Sequence, residues 1–411
     1  MMSYTEVKEL LQESVVEQLS FEREQTDEEI YALIDEVILQ SEALFHAPLQ
    51  DKRRLREEIF ASLRGLDVLQ ELLMDESITE IMINGPSHIF IERGGLVERA
   101  KTSFPSEEKL MQVIQQIVAG CNRAVNEASP IVDARLPNGA RVNIVLHPIS
   151  LDGPIVTIRR FPDKPITITE LIEKQALSKE VADYLSLLVK AKYNIIISGG
   201  TGSGKTTFLN VLSGFLPKNE RIITIEDSAE LQLQGVENLV RMETRNNNVE
   251  GCREITIRDL IRCSLRMRPD RIIVGEVRGA EATEMMTCLN TGHDGSMSTA
   301  HANSAKDMLE RLENMISMGS DIPLSAIRRQ IASGVDIIVQ LSRLRDGSRR
   351  VTEIIEILGY RGDEIMYSTL YQFEECGEID GRIQGNLKRK ETLQHVEKLV
   401  REGLYPMEGL A

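Results

Sequence analysis

The sequence predicts an α/β fold, a parallel-sheet domain preceded by an α+β domain and an N-terminal helical segment. Three observations lead there. Short, nearly continuous apolar runs at Asn194–Ser198, Arg221–Ile225 and Arg271–Val274 alternate with helical patterns, as strands buried on both faces of a parallel sheet do. Upstream, residues 63–161 carry β-rich runs set apart by turn residues, the texture of an antiparallel sheet. Before them, residues 1–62 show helical spacing and contain one proline, Pro48, and no glycine.

In chain order, Val7, Leu10 and Leu11, then Ile30, Leu33, Ile34, Val37 and Ile38, recur at three- and four-residue intervals between acids and glutamines. That is the apolar stripe of packed helices. Glu80–Asn84 and His88–Glu92 read as strands around the turn Asn84-Gly85-Pro86. A helix is expected from Ser106 to about Cys121, then strands at Arg141–Leu146 and Ile155–Phe161. Two prolines three apart, Pro162 and Pro165, fit no regular element, so 162–166 reads as a linker. Thr167 and Glu170 have capping-box spacing and start a helix of the last domain, 167–411. Near the C-terminus, Leu393, Val396 and Leu399 suggest a peripheral helix.

The strongest chemical signal is Gly199-Gly200-Thr201-Gly202-Ser203-Gly204-Lys205-Thr206-Thr207. It satisfies the G-x-x-x-x-G-K-[ST] pattern between a strand and a helix. Glycines let the backbone wrap a phosphate with its amides inward, and the helix start adds a positive dipole end. Lys205 then reaches the β and γ phosphates, and the Thr206 hydroxyl faces Mg²⁺. Such a site needs acids at the carboxyl ends of the buried strands. Glu226 and Asp227 follow one strand and Glu276 follows another. Each is placed to bind the metal, directly or through water, or to take a proton from an attacking water; spacing does not say which is the base. His293 and His301 bracket a polar segment and are candidates to sense the γ-phosphate. Arg135, Arg141, Arg159, Arg160, Arg241 and Arg245 are candidates to neutralise charge on it.

Composition narrows the classes. The 411 residues are 42% hydrophobic and 27% charged, with 4% aromatics and no Trp. This is a globular chain whose cores rest on Leu, Ile, Val and Met. A net charge of −16 disfavours a nucleic-acid coat, which needs a concentrated basic face. No apolar run approaches a membrane span, and the first nineteen residues lack a signal peptide's basic start and apolar centre. Five scattered cysteines without a C-x-x-C pair point to a reducing compartment and away from a zinc site. There is no N-K-x-D guanine-recognition tetrapeptide, which counts against a GTP switch.

The phosphate loop, Ile225-Glu226-Asp227-Ser-Ala-Glu230, Gly275-Glu276-Val-Arg278 and the histidine segment occur in that order. Together they resemble the secretion-superfamily ATPases of type II secretion, type IV pili and type IV secretion. Asp133-Ala-Arg-Leu-Pro-Asn-Gly-Ala-Arg-Val-Asn143 and Ile158-Arg-Arg-Phe161 resemble the CpaF branch, which serves tight-adherence pili. The likeness spans about 65–360, and it lacks the four-cysteine zinc element of many type II members. It implies a RecA-like P-loop ATPase domain, ATP and Mg²⁺ as ligands, and a cytoplasmic homo-hexamer. It also implies an integral-membrane platform as partner at the inner face of the cytoplasmic membrane, and no nucleic acid. By the same likeness Glu226 and Asp227 match the acidic box, Glu276 the Walker B glutamate, and His293 and His301 the histidine box. Arginines of the preceding domain, with Arg135, Arg141, Arg159 and Arg160 as matches, would close over the nucleotide. ATP state would then tilt one domain against the other about the linker. The runner-up reading is a RecA-like nucleic-acid translocating ATPase.

Overall fold

The structure is a computed structural model that describes residues 4–18, 26–41, 44, 45, 47–63, 65–121, 123–160, 165–245 and 253–404. The expected linker falls largely on 161–164, outside the described residues. Two compact units divide the chain, Met1–Pro162 and Asp163–Asn247 with Cys252–Ala411.

The first unit opens with helices α1 (Tyr4–Gln18), α2 (Asp27–Gln40) and α3 (Leu49–Leu63). Their apolar stripes meet in a core of Leu11, Val15, Ile30, Ile34, Val37, Leu55 and Ile59. Thr26 and Glu29 cap α2 reciprocally, which satisfies amides that the first turn leaves open. Then come α4 (Val68–Met74), β1 (Ile78–Asn84), β2 (Ile89–Arg93), β3 (Leu96–Arg99), α5 (Glu107–Gly120), β4 (Ile131–Arg135), β5 (Arg141–Val145) and β6 (Ile155–Arg159). The strands form one antiparallel sheet in the order β3-β2-β1-β6-β5-β4. Its inward residues, Ile81, Ile83, Val142, Ile144, Val156 and Ile158 among them, share a core with Leu110, Val113, Ile114 and Ile117 of α5.

The second unit runs α6 (Ile168–Glu173), α7 (Lys179–Lys190), β7 (Ile195–Gly199), α8 (Lys205–Ser213), β8 (Ile222–Glu226), β9 (Leu239–Glu243), α9 (Ile257–Ser264), β10 (Arg271–Val274), α10 (Ala282–Leu289) and β11 (Met297–Ala300). It continues with α11 (Ala305–Gly319), α12 (Leu324–Gly334), β12 (Ile337–Arg343), β13 (Arg349–Arg361), β14 (Glu364–Ile379), β15 (Arg382–Arg389) and α13 (Glu397–Arg401). The Thr167–Glu170 capping box forms at the start of α6, as the spacing predicts. Nine strands make one sheet, β15-β14-β13-β12-β7-β11-β10-β8-β9. From β12 to β9 neighbours run parallel, and β13 to β15 add antiparallel hairpins. Successive β7 residues serve opposite layers: Ile195 and Ile197 pack with Leu185, Phe208 and Leu212, whereas Ile196 packs with Met285, Met308 and Ile331. Burial on both faces explains why these strands read as unbroken apolar runs.

The expected C-terminal helix is shorter than the Leu393–Leu399 spacing suggests. The backbone N–H groups of Gln394 and His395 donate to the Glu356 carboxylate at 2.9 and 2.7 Å. Helix therefore begins only at Glu397, while Leu393 and Leu399 still bury against the sheet.

Candidate functional site

β7 ends at Gly199, still paired with Leu341 of β12, where a side chain has no room. A Cβ there would lie 2.5 Å from Ser203 Oγ and 2.6 Å from the Leu341 carbonyl on β12. Gly202 and Gly204 carry φ of 71° and 92°, left-handed values that glycine adopts without the Cβ penalty. The chain thereby turns through Gly200–Gly204 and enters α8 at Lys205, with Thr206 and Thr207 half-buried in its first turn. Inside the loop, three donors converge on one oxygen. The Gly200 carbonyl accepts from the Ser203 N–H at 3.3 Å, Ser203 Oγ at 2.8 Å and Lys205 Nζ at 3.1 Å.

From Lys205 a line of contacts crosses the carboxyl ends of three strands. Lys205 Nζ lies 3.2 Å from His301 Nδ1. An ammonium only donates, so Nδ1 accepts and the neutral ring carries its proton on Nε2. That atom stands 2.7 Å from Glu276 Oε1. The approach is close but not aligned as a hydrogen bond, and Oε1 is buried without an aligned partner. The other oxygen, Oε2, accepts from Arg278 Nη2 and Nε at 2.6 and 2.8 Å. Arg278 Nη1 then comes within 3.9 Å of Asp227 Oδ2, and Asp227 Oδ1 accepts from Thr244 Oγ1 at 2.9 Å.

Burial lowers the pKa of Lys205, opposed by the Glu276 carboxylate. Burial likewise holds His301 below its ordinary value, again with Glu276 opposing. The hydrogen bond that Arg278 donates to the Glu276 carboxylate raises the pKa of Arg278. The line places donors and acceptors in alternation, and Glu276 Oε1 is the oxygen in it without an aligned partner.

Glu226 has a different environment. It is buried at the end of β8, with Oε1 accepting the Glu230 and Leu231 N–H groups, both at 2.8 Å. Its Oε2 is buried and unpartnered. Burial raises its pKa to about 7 against those two amides. A Cβ on Gly275 would meet Glu226 Cγ at 2.9 Å, so the carboxylate rests against the end of β10.

Several expected ligands lie elsewhere. His293 precedes β11 whereas His301 follows it, so the strand separates them. His301 meets the phosphate loop's Lys205, and His293 lies at the other end of β11. Arg241 and Arg245 belong to β9 and its exit, four strands from β7, or ~19 Å at ordinary strand spacing. Arg241 Nη2 donates to the Leu231 carbonyl at 3.1 Å, and Arg245 Nε and Nη2 donate to the Arg253 carbonyl at 3.3 and 3.0 Å. Neither lines the loop in this chain. In the first unit, Arg160 Nη1 donates to the Asp75 and Ile78 carbonyls, a structural tie between α4 and β1. Arg135 pairs with Arg141 across β4–β5, and Arg141 with Arg159 across β5–β6, so three arginines stand in one cross-strand row.

Sequence spacing does not single out two residues that the fold brings to the site. Arg278 follows Glu276 by two positions on irregular backbone, a separation without a regular facing rule. Arg349 starts β13 and donates from Nε to the Gly202 carbonyl at 2.7 Å; only topology links positions 147 residues apart.

The donor set suits Mg²⁺ with a nucleotide. A hydroxyl at the helix start and a buried carboxylate oxygen without an aligned partner are the hard oxygen donors it takes, alongside phosphate and water. Thr206 and Glu276 fit this role, while Asp227 is engaged by Thr244 and Arg278. Among the described residues, no three His, Cys, Asp or Glu side chains gather as a metal centre of their own.

Residues 63–403 match the family described as type II/IV secretion system protein. A putative conjugal transfer protein of Mycobacterium tuberculosis is 33% identical over 310 residues, spanning 72% of this chain and 88% of its own length. The type IV secretion system protein VirB11 of Bartonella quintana is 30% identical over 346 residues, spanning 74% and 96%. The Legionella pneumophila ATPase DotB aligns at a TM-score of 0.52 and 20% identity, covering 70% of this chain and 79% of that one. The pilus retraction motor PilT with bound ADP aligns at 0.51 and 18%, covering 83% and 87%. At those identities the two structures speak for the fold alone. Phosphate loop, sheet order and family match converge: the chain belongs to the type II/IV secretion system protein family and is a secretion-superfamily ATPase with a RecA-like fold.

Proposed function

We propose that this ATPase is a Mg²⁺-dependent motor, a homo-hexamer that drives pilus assembly or secretion through an integral-membrane platform, in the CpaF-like, tight-adherence branch. The observation that carries the catalytic part is the contact line Lys205–His301–Glu276–Arg278. When ATP enters, its phosphates take the donors now held by the Gly200 carbonyl. Water attacks the γ-phosphorus in line, the bond to the β-phosphate oxygen breaks, and ADP departs with that electron pair. Glu276 Oε1 receives the water's proton, while Arg278 holds Oε2 and fixes the carboxylate's direction. Thr206 directly, and Glu276 through a water, would hold Mg²⁺, which would supply charge neutralisation on the phosphates. Glu226 and Asp227 form the acidic rim; the two amides on Glu226 make it a positioning group before a base.

The arginine row supports a role for the first unit. Arg135, Arg141 and Arg159 sit in adjacent registers on β4, β5 and β6, and the row ends at Glu80 of β1, opposite Arg159. Three neighbouring guanidiniums with one acid at the end of the row suit an anion such as a phosphate. Among the described residues no helix is long and apolar enough to cross a membrane, so we assign membrane association to the partner, at the inner face of the cytoplasmic membrane. Light scattering tests the assembly: with Mg²⁺ and a non-hydrolysable ATP analogue, molar mass should be about six times 46.2 kDa. A monomer or dimer at working concentration, with and without nucleotide, would remove the hexamer.

A further inference from the structure

We infer that Arg349 is a positioning residue of the nucleotide site, acting within the same chain by holding the Gly202 carbonyl outside the phosphate loop. The inference rests on the reading of that loop as a nucleotide site. Its basis is the geometry of one peptide unit. The Gly202 C=O and the Ser203 N–H belong to the same planar group and point in opposite directions. Arg349 Nε holds the oxygen at 2.7 Å, and the Ser203 N–H accordingly faces inward, onto the Gly200 carbonyl at 3.3 Å. Ser203 Oγ and Lys205 Nζ converge on that same oxygen. A phosphate oxygen needs such a set of inward donors.

Left alone, this peptide would turn easily. The residue before it is Gly202, with φ of 71° and no heavy atom within 4 Å of a Cβ built on it. Glycine populates both signs of φ, so the carbonyl has no steric reason to stay outward. The arginine supplies the missing constraint.

Its own position is fixed by the hairpin that carries it. β12 pairs with β7 as far as Leu341 opposite Gly199 and then runs past the end of β7 to Arg343, which pairs with Arg349. The turn between them is locked. Asp346 Oδ1 accepts the Ser348 N–H and hydroxyl at 3.0 and 2.6 Å, and Oδ2 accepts the Ile383 N–H at 2.9 Å. Those bonds, the Ser348 hydroxyl first, hold the Asp346 carboxyl down at about 2. The stem of Arg349 also passes 3.4 Å from where a Cβ of Gly204 would be, so it lies along the loop's second left-handed glycine. A donor on a rigid hairpin, aimed at a sterically free peptide of the loop, pre-organises the amides before a ligand arrives.

The test uses the full chain and Mg²⁺ with ATPγS in calorimetric titration, together with steady-state ATP turnover. Arg349→Ala should weaken binding about tenfold, the cost of ordering on binding one residue that the arginine no longer holds in place. KM for ATP should rise comparably, and kcat should fall by no more than a few-fold. Arg349→Lys, which keeps a donor, should recover part of the affinity. Arg343→Ala, which removes a charge from the same hairpin end, should bind as wild type does. Without nucleotide, the unfolding midpoint of Arg349→Ala should match wild type, since the side chain is exposed. Equal affinity in wild type and Arg349→Ala would overturn the inference and leave the nucleotide site standing. So would equal losses in Arg343→Ala, or a lowered midpoint that marks a purely structural role. No binding by the wild type would overturn the nucleotide-site reading itself, and this inference with it.

Discussion

At the scale of single residues, the site is a matter of which carboxylate is satisfied and which is not. Glu226 ends β8 and Glu276 follows β10 by two residues, and their sequence contexts are alike. Their environments separate them: Glu226 bonds back to its own loop, whereas Glu276 faces His301 and keeps an oxygen without an aligned partner. Nothing in residue spacing encodes that difference, because it depends on how the chain turns after each strand. The Glu226 environment has a consequence for stability. Its carboxyl moves from 4.5 to about 7 because burial penalises the charge. A raised folded-state pKa means the folded protein holds an extra proton between those values, so stability falls as pH rises from 4.5 to about 7. Glu226→Gln, which cannot ionise, should escape this loss. Chemical denaturation across that range should show the variant gaining on the wild type with rising pH, by on the order of 3 kcal/mol at most. A gap that stays constant with pH would mean the carboxyl is not held neutral by burial.

Among the elements, legibility followed burial pattern. β7, β8 and β10 could be read because both faces are apolar, and the residues around them announced turn and helix start. β11 is just as buried, yet its sequence is Met297-Ser-Thr-Ala300, where Thr299 Oγ1 donates to the Gly275 carbonyl at 2.7 Å. A buried polar strand satisfied by a neighbour 24 residues away has no local signature. β4 and the β12–β13 hairpin are similarly set by pairing partners, and with the hairpin went any hint of Arg349. The close approach of β12 to the loop predicts a packing cost. Gly199→Ala would place a methyl 2.5 Å from Ser203 Oγ and 2.6 Å from the Leu341 carbonyl, which is backbone and cannot swing aside. We expect about 1–3 kcal/mol of destabilisation in a denaturant melt, with weakened nucleotide binding. A variant as stable as wild type would show that β7 and β12 can separate at no cost.

For the whole molecule, composition and motif order led to the right family, and each of the two described units has cores of its own. What composition could not supply is the sorting of arginines. Arg135, Arg141 and Arg159 share one face because antiparallel register aligns them, while Arg160, one residue further, turns to the other face and binds backbone. Arg241 and Arg245 look equivalent in sequence and lie at the far edge of the other sheet. Against an overall charge of −16, such a local row of arginines stands out. All of this bears on rate only if the line from Lys205 to Glu276 is where ATP is cleaved. The most direct measurement is ATP turnover by the intact purified protein with Glu276→Gln, alongside its nucleotide affinity. The account predicts affinity within a few-fold of wild type and turnover lower by about 100-fold or more, the usual worth of a positioned general base. Turnover within twofold of wild type would contradict it.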